Sequence, residues 1–313
     1  MDKLTLGATS IQVSRLAYGC WRILGTEGAG PGSNREAGAR AAITAAYEAG
    51  YTLFDHADVY ADGAVEKVFG DVLKQVAGMR SQVVLTTKCG IRRKGVPHPD
   101  SPYRYDFSAE YIIKSCEQSL QRLGVETIDI YQLHRPDYLM DPAEVAAAFT
   151  RLREQGKVRE FGVSNFRPHQ LALLQGACSF RLCVHQVELS LARLQGFEDG
   201  TLEQCLAGQM TPLAWSPLGG GRLSDTLPID INSPDHARRI GLRETLDDIA
   251  RDYGATRTIV ALAWLLKHPA RIIPIVGSAK PERIREAAQA EKVQLSRDEW
   301  YRLLEAARGE RLP

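Results

Sequence analysis

Short apolar runs separated by amphipathic stretches recur from one end of the chain to the other. Residues 3–15 alternate: Leu4 and Leu6, a Gly7-Ala8-Thr9-Ser10 turn, then Ile11 and Val13, which predicts a small hairpin. Leu16 to Trp21 is the first continuous apolar run, followed by a loop with Gly25, Gly28, Gly30 and Gly32. Ser33 and Glu36 have capping-box spacing ahead of an alanine-rich helix that Gly50 ends. The next strand, from Tyr51, runs into Phe54-Asp55 and a polar loop ending at Gly63. The same unit then repeats. Strands are predicted at 83–88, 128–134, 160–164, 183–188, 211–216 and 271–276, and helices at about 64–74, from Ser108, from Asp141-Pro142, and at about 168–174, 202–207, 234–253 and 257–267. One closing helix starts at Pro281 and another at Asp298, capped by Ser296.

Strands that are apolar throughout, not alternating, are buried on both faces and belong to parallel sheets. About eight such strands, each followed by a helix, predict a (β/α)8 TIM barrel with an N-terminal β-hairpin at about residues 3–15. No linker, repeat or low-complexity segment divides the chain, so residues 1–313 read as one barrel domain. In that fold the active face lies at the C-terminal ends of the strands. Asp55, Lys88, His134, Ser164, Gln186, Ser216 and Gly277 all fall within a residue or two of such an end.

Composition narrows the function classes. A net charge of +1 gives no electrostatic reason to expect nucleic acid or an anionic membrane as a partner. The even charge and the lack of an obvious apolar patch argue for a monomer. No apolar run reaches bilayer length and the N-terminus lacks a signal core, so the expected compartment is cytoplasmic. The six cysteines form no C-x-x-C pair and do not cluster with histidines at zinc spacing. They read as reduced thiols, and no metal site is expected.

The strand-end residues carry the chemistry. Tyr60 lies just past Asp55, and a phenol beside a carboxylate can form half of an acid–base site. A free phenol titrates near about 10; lowering that by two or three units needs about 3–4 kcal/mol of differential interaction. A neighbouring ammonium, Lys88, can supply it, and Lys88 needs a carboxylate such as Asp55 to stay charged when buried. His134 can then donate to a carbonyl oxygen. Each residue also has a structural reading, Lys88 with Asp55 as a rim ion pair and His134 as a core histidine. Their joint placement at successive strand ends favours catalysis.

These residues carry a resemblance. Phe54-Asp55-x-Ala57-x-x-Tyr60 with Glu66, Lys88, Gln132-Leu133-His134 and Gly162-Val163-Ser164-Asn165-Phe166 are similar to the aldo-keto reductase superfamily, from Gly19 to about Ala287. The resemblance implies a NADPH-dependent carbonyl reductase with Asp55, Tyr60, Lys88 and His134 as its catalytic set and Tyr60 as general acid. It also implies that Ser164, Asn165 and Gln186 grip the nicotinamide carboxamide, and that Trp215 stacks on its ring. Ser216, Pro217, Leu218, Gly219, Gly220 and Arg222 resemble the pyrophosphate loop. Gly277, Ser278, Lys280 and Arg283 match the adenosine phosphate site, and Gly19, Cys20 and Trp21 join the cofactor set from the first strand. Two departures stand out: Gly277 replaces a frequent lysine and Ala287 a frequent asparagine. NADPH/NADP+ is therefore expected, with NADH possible. Trp21, Tyr60 and His134 are the expected substrate pocket for a small-molecule carbonyl compound.

Three rival readings compete. Asp58-x-Tyr60-x-Asp62-Gly63 faintly resembles a calcium loop, but Tyr60 and Phe69 stand where that loop needs Asp or Asn and Glu. Gly28-x-Gly30-x-Gly32 lacks the G-x-G-x-x-G spacing of a dinucleotide fold and lies too far from its strand. The third rival keeps the barrel but makes it a cofactor-binding, redox-sensing regulatory protein with little turnover. Residues 90–107 form a long basic loop, read either as a solvated face or as an attractor for an anionic substrate.

Overall fold

The computed structural model describes residues 1–25, 33–224 and 235–312, the Ser33 and Asn34 side chains excepted. Gly28, Gly30, Gly32, the Ser33 cap and a helix start at Pro234 therefore lie outside the described residues. The chain opens with β1 (Lys3–Thr5) and β2 (Gln12–Ser14), the expected antiparallel hairpin. Then come β3 (Ala17–Gly19), α1 (Ser33–Glu48), β4 (Leu53–Asp55), α2 (Ala64–Gln75), α3 (Met79–Gln82) and β5 (Val84–Cys89). A second hairpin, β6 (Ile91–Arg92) with β7 (Arg104–Tyr105), precedes α4 (Ala109–Leu123). The remaining elements are β8 (Ile128–Leu133), α5 (Pro142–Glu154), β9 (Val158–Ser164), α6 (Pro168–Ala177), β10 (Val184–Glu188), α7 (Thr201–Ala207), β11 (Thr211–Trp215), α8 (His236–Asp252), α9 (Arg257–Leu266), β12 (Ile273–Val276), α10 (Pro281–Ala287) and α11 (Arg297–Arg308).

Eight strands, in the order β3-β4-β5-β8-β9-β10-β11-β12, close into an all-parallel barrel, as the sequence predicts. The strand ends are shorter than the apolar runs suggest. The first run stops at Gly19, where Cys20–Arg22 turn into a 3-10 helix, because the chain must leave the sheet to reach the mouth. Helix ends follow local chemistry. Ser108 accepts from the Tyr111 amide, Asp141 from Ala143 and Glu144, and Ser296 with Glu299 completes a capping box.

One end of the barrel is sealed. Leu4, Leu6, Ile11 and Val13 of the hairpin region pack with Ala17, Leu53, Val84, Ile130, Val184, Leu213 and Ile273 from inside the strands. Each buried leucine, isoleucine or valine among them contributes about 1.5–3 kcal/mol. With that end plugged, the C-terminal mouth is the open end. The helices pack outside through a second, larger core. There the Gly70 Cα on α2 approaches the α4 backbone so closely that a Cβ would sit 2.5 Å from the Leu123 carbonyl oxygen. The last helix is locked to α9 by Trp264 and Trp300, stacked at 4.9 Å and 10°, each indole N–H donating to the other residue's carbonyl (3.1 and 3.0 Å).

Candidate active site

Asp55 ends β4 and Lys88 lies near the end of β5, its neighbour in the barrel. Lys88 is fully buried, and its ammonium donates to both Asp55 carboxylate oxygens at 2.7 Å and to the His56 carbonyl at 2.6 Å. Gln186, across the mouth on β10, donates to the same carboxylate at 2.8 Å. One carboxylate thus ties three strands together. Burial pulls the Lys88 pKa down, and Asp55 holds it up against that loss.

Tyr60 follows on a 3-10 turn in which Ala61 and Asp62 take left-handed φ values of 46° and 52°. Arg93 secures this strained turn, donating to the Val59 carbonyl at 2.6 Å and pairing with Asp62 at 3.2 Å. The Tyr60 ring meets His134 edge-on at 5.9 Å, and the Lys88 ammonium lies 5.2 Å from its centroid. The expectation that Lys88 lowers the phenol pKa is not met. Burial, then the Asp55 charge, push Tyr60 well above its ordinary value, and the cation that opposes them is Arg135; the Lys88 ammonium is itself bound to Asp55, 2.7 Å away from its carboxylate. Burial, with Lys88 and Arg135 adding to it, holds the His134 imidazole far below its ordinary pKa. It is therefore neutral near pH 7 and carries one N–H to donate.

These groups face a cavity of about 1130 Å³ in the barrel mouth. Asp55, Tyr60, His134, Ser164, Asn165, Gln186 and Trp215 surround its inner end, and Gly19 and Trp21 flank it. Ser216, Pro217, Leu218 and Gly220 continue the wall towards Gly277, Ser278, Lys280 and Arg283. Asn165, at φ 62°, donates to the Ser164 hydroxyl (2.7 Å) and the His134 carbonyl (3.1 Å), and accepts from the Trp215 indole at 2.9 Å.

Four expected site residues stand elsewhere. Lys88 is buried behind Asp55, bonded to its carboxylate, and does not line the cavity. Cys20 is fully buried with its sulfur 3.7 Å from His56 Nε2, because the turn after Gly19 points it into the core. Gly219 is buried against Ala192, where a Cβ would come within 2.7 Å of the alanine methyl. Arg222 is exposed and borders a separate small cavity between the strand-end loops and α8, with Leu191 and Leu242.

The basic loop resolves into paired side chains. Arg92 bonds Asp106 at 2.9 Å and covers the Tyr111 ring, and Arg104 donates to the Val96 carbonyl at 2.9 Å. Only Ile91, Arg93 and Tyr103 of this stretch reach the cavity. Among wall residues that sequence reasoning missed, Arg135 stands out. It directly follows His134, so a charged residue next to a strand-end histidine was the available signal. Glu66 of the motif is structural: fully buried, it accepts from the Thr87 hydroxyl and Arg122, both at 2.6 Å. Close by, Asp58 accepts from Ser115 at 2.7 Å and Tyr111 at 3.3 Å, and burial pushes its carboxyl up to about 7.

Comparison with known proteins agrees with this geometry. The chain is 42% identical over 314 residues to the 6-dehydroglucose reductase of Novosphingobium aromaticivorans, covering 98% of this chain and 96% of that one. It is 37% identical to the 6-dehydroglucose reductase of Agrobacterium fabrum, with 99% of both chains covered. An NADH-specific methylglyoxal reductase of Escherichia coli is 32% identical with 95% of both chains covered. Among solved structures, the holo form of an aldo-keto reductase from Bacillus halodurans superposes with TM-score 0.83 at 25% identity, over 100% of this chain and 98% of that chain. The profile described as the aldo/keto reductase family matches residues 15–308. A barrel sealed at one end, with a tyrosine, a neutral histidine and a buried Lys–Asp pair at the other, accords with these matches: the chain belongs to the aldo/keto reductase family of oxidoreductases.

Proposed function

We propose that the protein is a NADPH-dependent reductase of an aldehyde or ketone, with Tyr60 as general acid. The observation that carries this reading is the single cavity whose inner end holds Tyr60 and His134 and whose far wall holds Arg283 and Lys280. Arg283 is half-buried and, among the described residues, has no side-chain hydrogen bond or ion pair. A guanidinium in that condition suits a nucleotide phosphate, and Lys280 adds a second cation. Gly277 leaves open space beside them.

When bound, the reduced nicotinamide supplies the hydride that adds to the carbonyl carbon, and is oxidised as the carbonyl is reduced. The chain's own residues manage the oxygen. His134, neutral, donates its N–H to the carbonyl oxygen and polarises it. Tyr60 gives its proton to that oxygen as negative charge develops there. A high phenol pKa does not prevent this, since an alkoxide is far more basic than a phenolate. Asp55 and Lys88, by fixing β4 and β5 to each other, keep Tyr60 at its distance from His134. Ser164, Asn165 and Gln186 line the cavity with amide and hydroxyl groups that would hold the nicotinamide carboxamide.

The test is fluorescence titration with NADPH and NADH, followed by turnover with 6-dehydroglucose, the compound named for two relatives. Wild type should bind NADPH at micromolar concentration and more than tenfold tighter than NADH, with Arg283→Ala erasing the difference. Tyr60→Phe should keep NADPH binding within about threefold while activity falls at least about a hundredfold. Full activity in Tyr60→Phe would remove Tyr60 from the reaction.

A further inference from the structure

This inference rests on the reading above and concerns what the substrate must look like. Two arginines of the cavity wall are half-buried and, among the described residues, have no hydrogen bond or ion pair to a protein acceptor: Arg283 and Arg135. The other wall arginines differ. Arg93 is bound to Asp62 and the Val59 carbonyl, and Arg22 is exposed to solvent. The closed strand order separates the two. Arg135 follows β8 and Arg283 follows β12, and these strands stand four apart in the ring of eight, on opposite sides of the mouth. With Arg283 at the phosphate end of the nucleotide in the reading above, Arg135 stands on the opposite side of the mouth.

That side is where the carbonyl reacts. Arg135 is joined to His134 by one peptide bond, and its guanidinium lies over the Trp215 ring at 5.4 Å. The guanidinium is a planar fork with five N–H groups, a multiple donor. Water can meet those donors in the open cavity, and a substrate that displaces it must offer acceptors in its place. A hydrocarbon substrate cannot. A substrate with oxygen atoms two or three bonds from the carbonyl carbon can.

We propose that Arg135 is a specificity residue that donates hydrogen bonds to hydroxyl or carboxylate oxygens flanking the reacting carbonyl, so that the enzyme selects oxygen-rich carbonyl compounds over plain alkyl ones. A site built to bond polar groups rejects analogues that lack them, because its own donors are then left unmet.

The experiment compares glyceraldehyde with butanal, each counted as free unhydrated aldehyde, for wild type, Arg135→Met and Arg135→Lys. Wild type should prefer glyceraldehyde by at least tenfold in kcat/KM. Arg135→Met should lower kcat/KM for glyceraldehyde thirtyfold or more, chiefly through KM, and that for butanal by threefold at most. Arg135→Lys, which keeps the charge but loses the fork, should recover part of the preference. NADPH affinity, read by fluorescence, should move less than threefold in either variant. Equal losses on both aldehydes in Arg135→Met, or wild-type turnover without a preference, would overturn the role of Arg135 and leave the reductase standing. No turnover of either aldehyde, or of 6-dehydroglucose, by wild type that binds NADPH would overturn the reductase reading and this proposal with it.

Discussion

The Lys88 ammonium sits 2.7 Å from each carboxylate oxygen of Asp55, and neither side chain reaches solvent to a useful extent. Removing one partner of such a pair strands a charge in the barrel, which costs about 3–5 kcal/mol. Lys88→Met and Asp55→Asn should therefore each lower the unfolding free energy by about that amount, besides abolishing turnover. The double variant should lose clearly less than the sum, because no unpaired charge remains. Urea unfolding of the four proteins gives the coupling energy. Strict additivity would mean that the pair does not act as a unit.

Asp58 sets a pH dependence of stability. Its folded pKa, pushed up to about 7 chiefly by burial, lies above its unfolded value. The folded state therefore disfavours the carboxylate, and the penalty is absent in acid, grows as pH rises through the ordinary carboxylate range, and is complete above about pH 7. Asp58→Asn removes it. The variant should gain on wild type by on the order of 2 kcal/mol between pH 5 and pH 8. Buried His56 and His185, with pKa values pushed down to about 3 and about 4, act in the opposite sense and cost stability as pH falls below the ordinary imidazole range. Both proteins contain them, so the difference between the two urea series isolates Asp58. A difference that does not vary with pH would show that Asp58 is ionised in the fold throughout.

Helices α2 and α4 meet where Gly70 has no side chain. A methyl there would lie 2.5 Å from the Leu123 carbonyl oxygen and 2.7 Å from that of Arg122, both backbone atoms that move only with the helix. Gly70→Ala should destabilise by about 3 kcal/mol through overpacking. Gly38→Ala on α1, where nothing lies within 4 Å, should be neutral or stabilising by about 0.5–1 kcal/mol. Denaturant midpoints at constant slope check both. A Gly70→Ala midpoint equal to wild type would mean that the two helices separate without cost.

The barrel was legible because its strands are apolar throughout, and the candidate site because Asp55, Lys88 and His134 break that pattern only at strand ends. Three features were not. The sense of the Tyr60 pKa depends on how Asp55 is divided between Lys88 and the phenol, a matter of distances that spacing does not encode. Cys20 and Trp21 are adjacent, and only the turn after Gly19 decides that one enters the core and the other the mouth. The basic loop looked like one charged surface, yet Arg92 and Arg104 are spent on holding a hairpin, since their partners Asp106 and the Val96 carbonyl are brought close only by the pairing of β6 with β7.

The chain has four tryptophans, and the fold splits them into two pairs. Trp21 and Trp215 are in the cavity wall, while Trp264 and Trp300 are stacked against each other where the last helix meets α9. Intrinsic fluorescence therefore has two independent sources: one pair dims or shifts when a ring enters the mouth, and the other changes when the C-terminal helix lifts off. A single cuvette can thus tell a variant that has lost its ligand from one that has lost its shape.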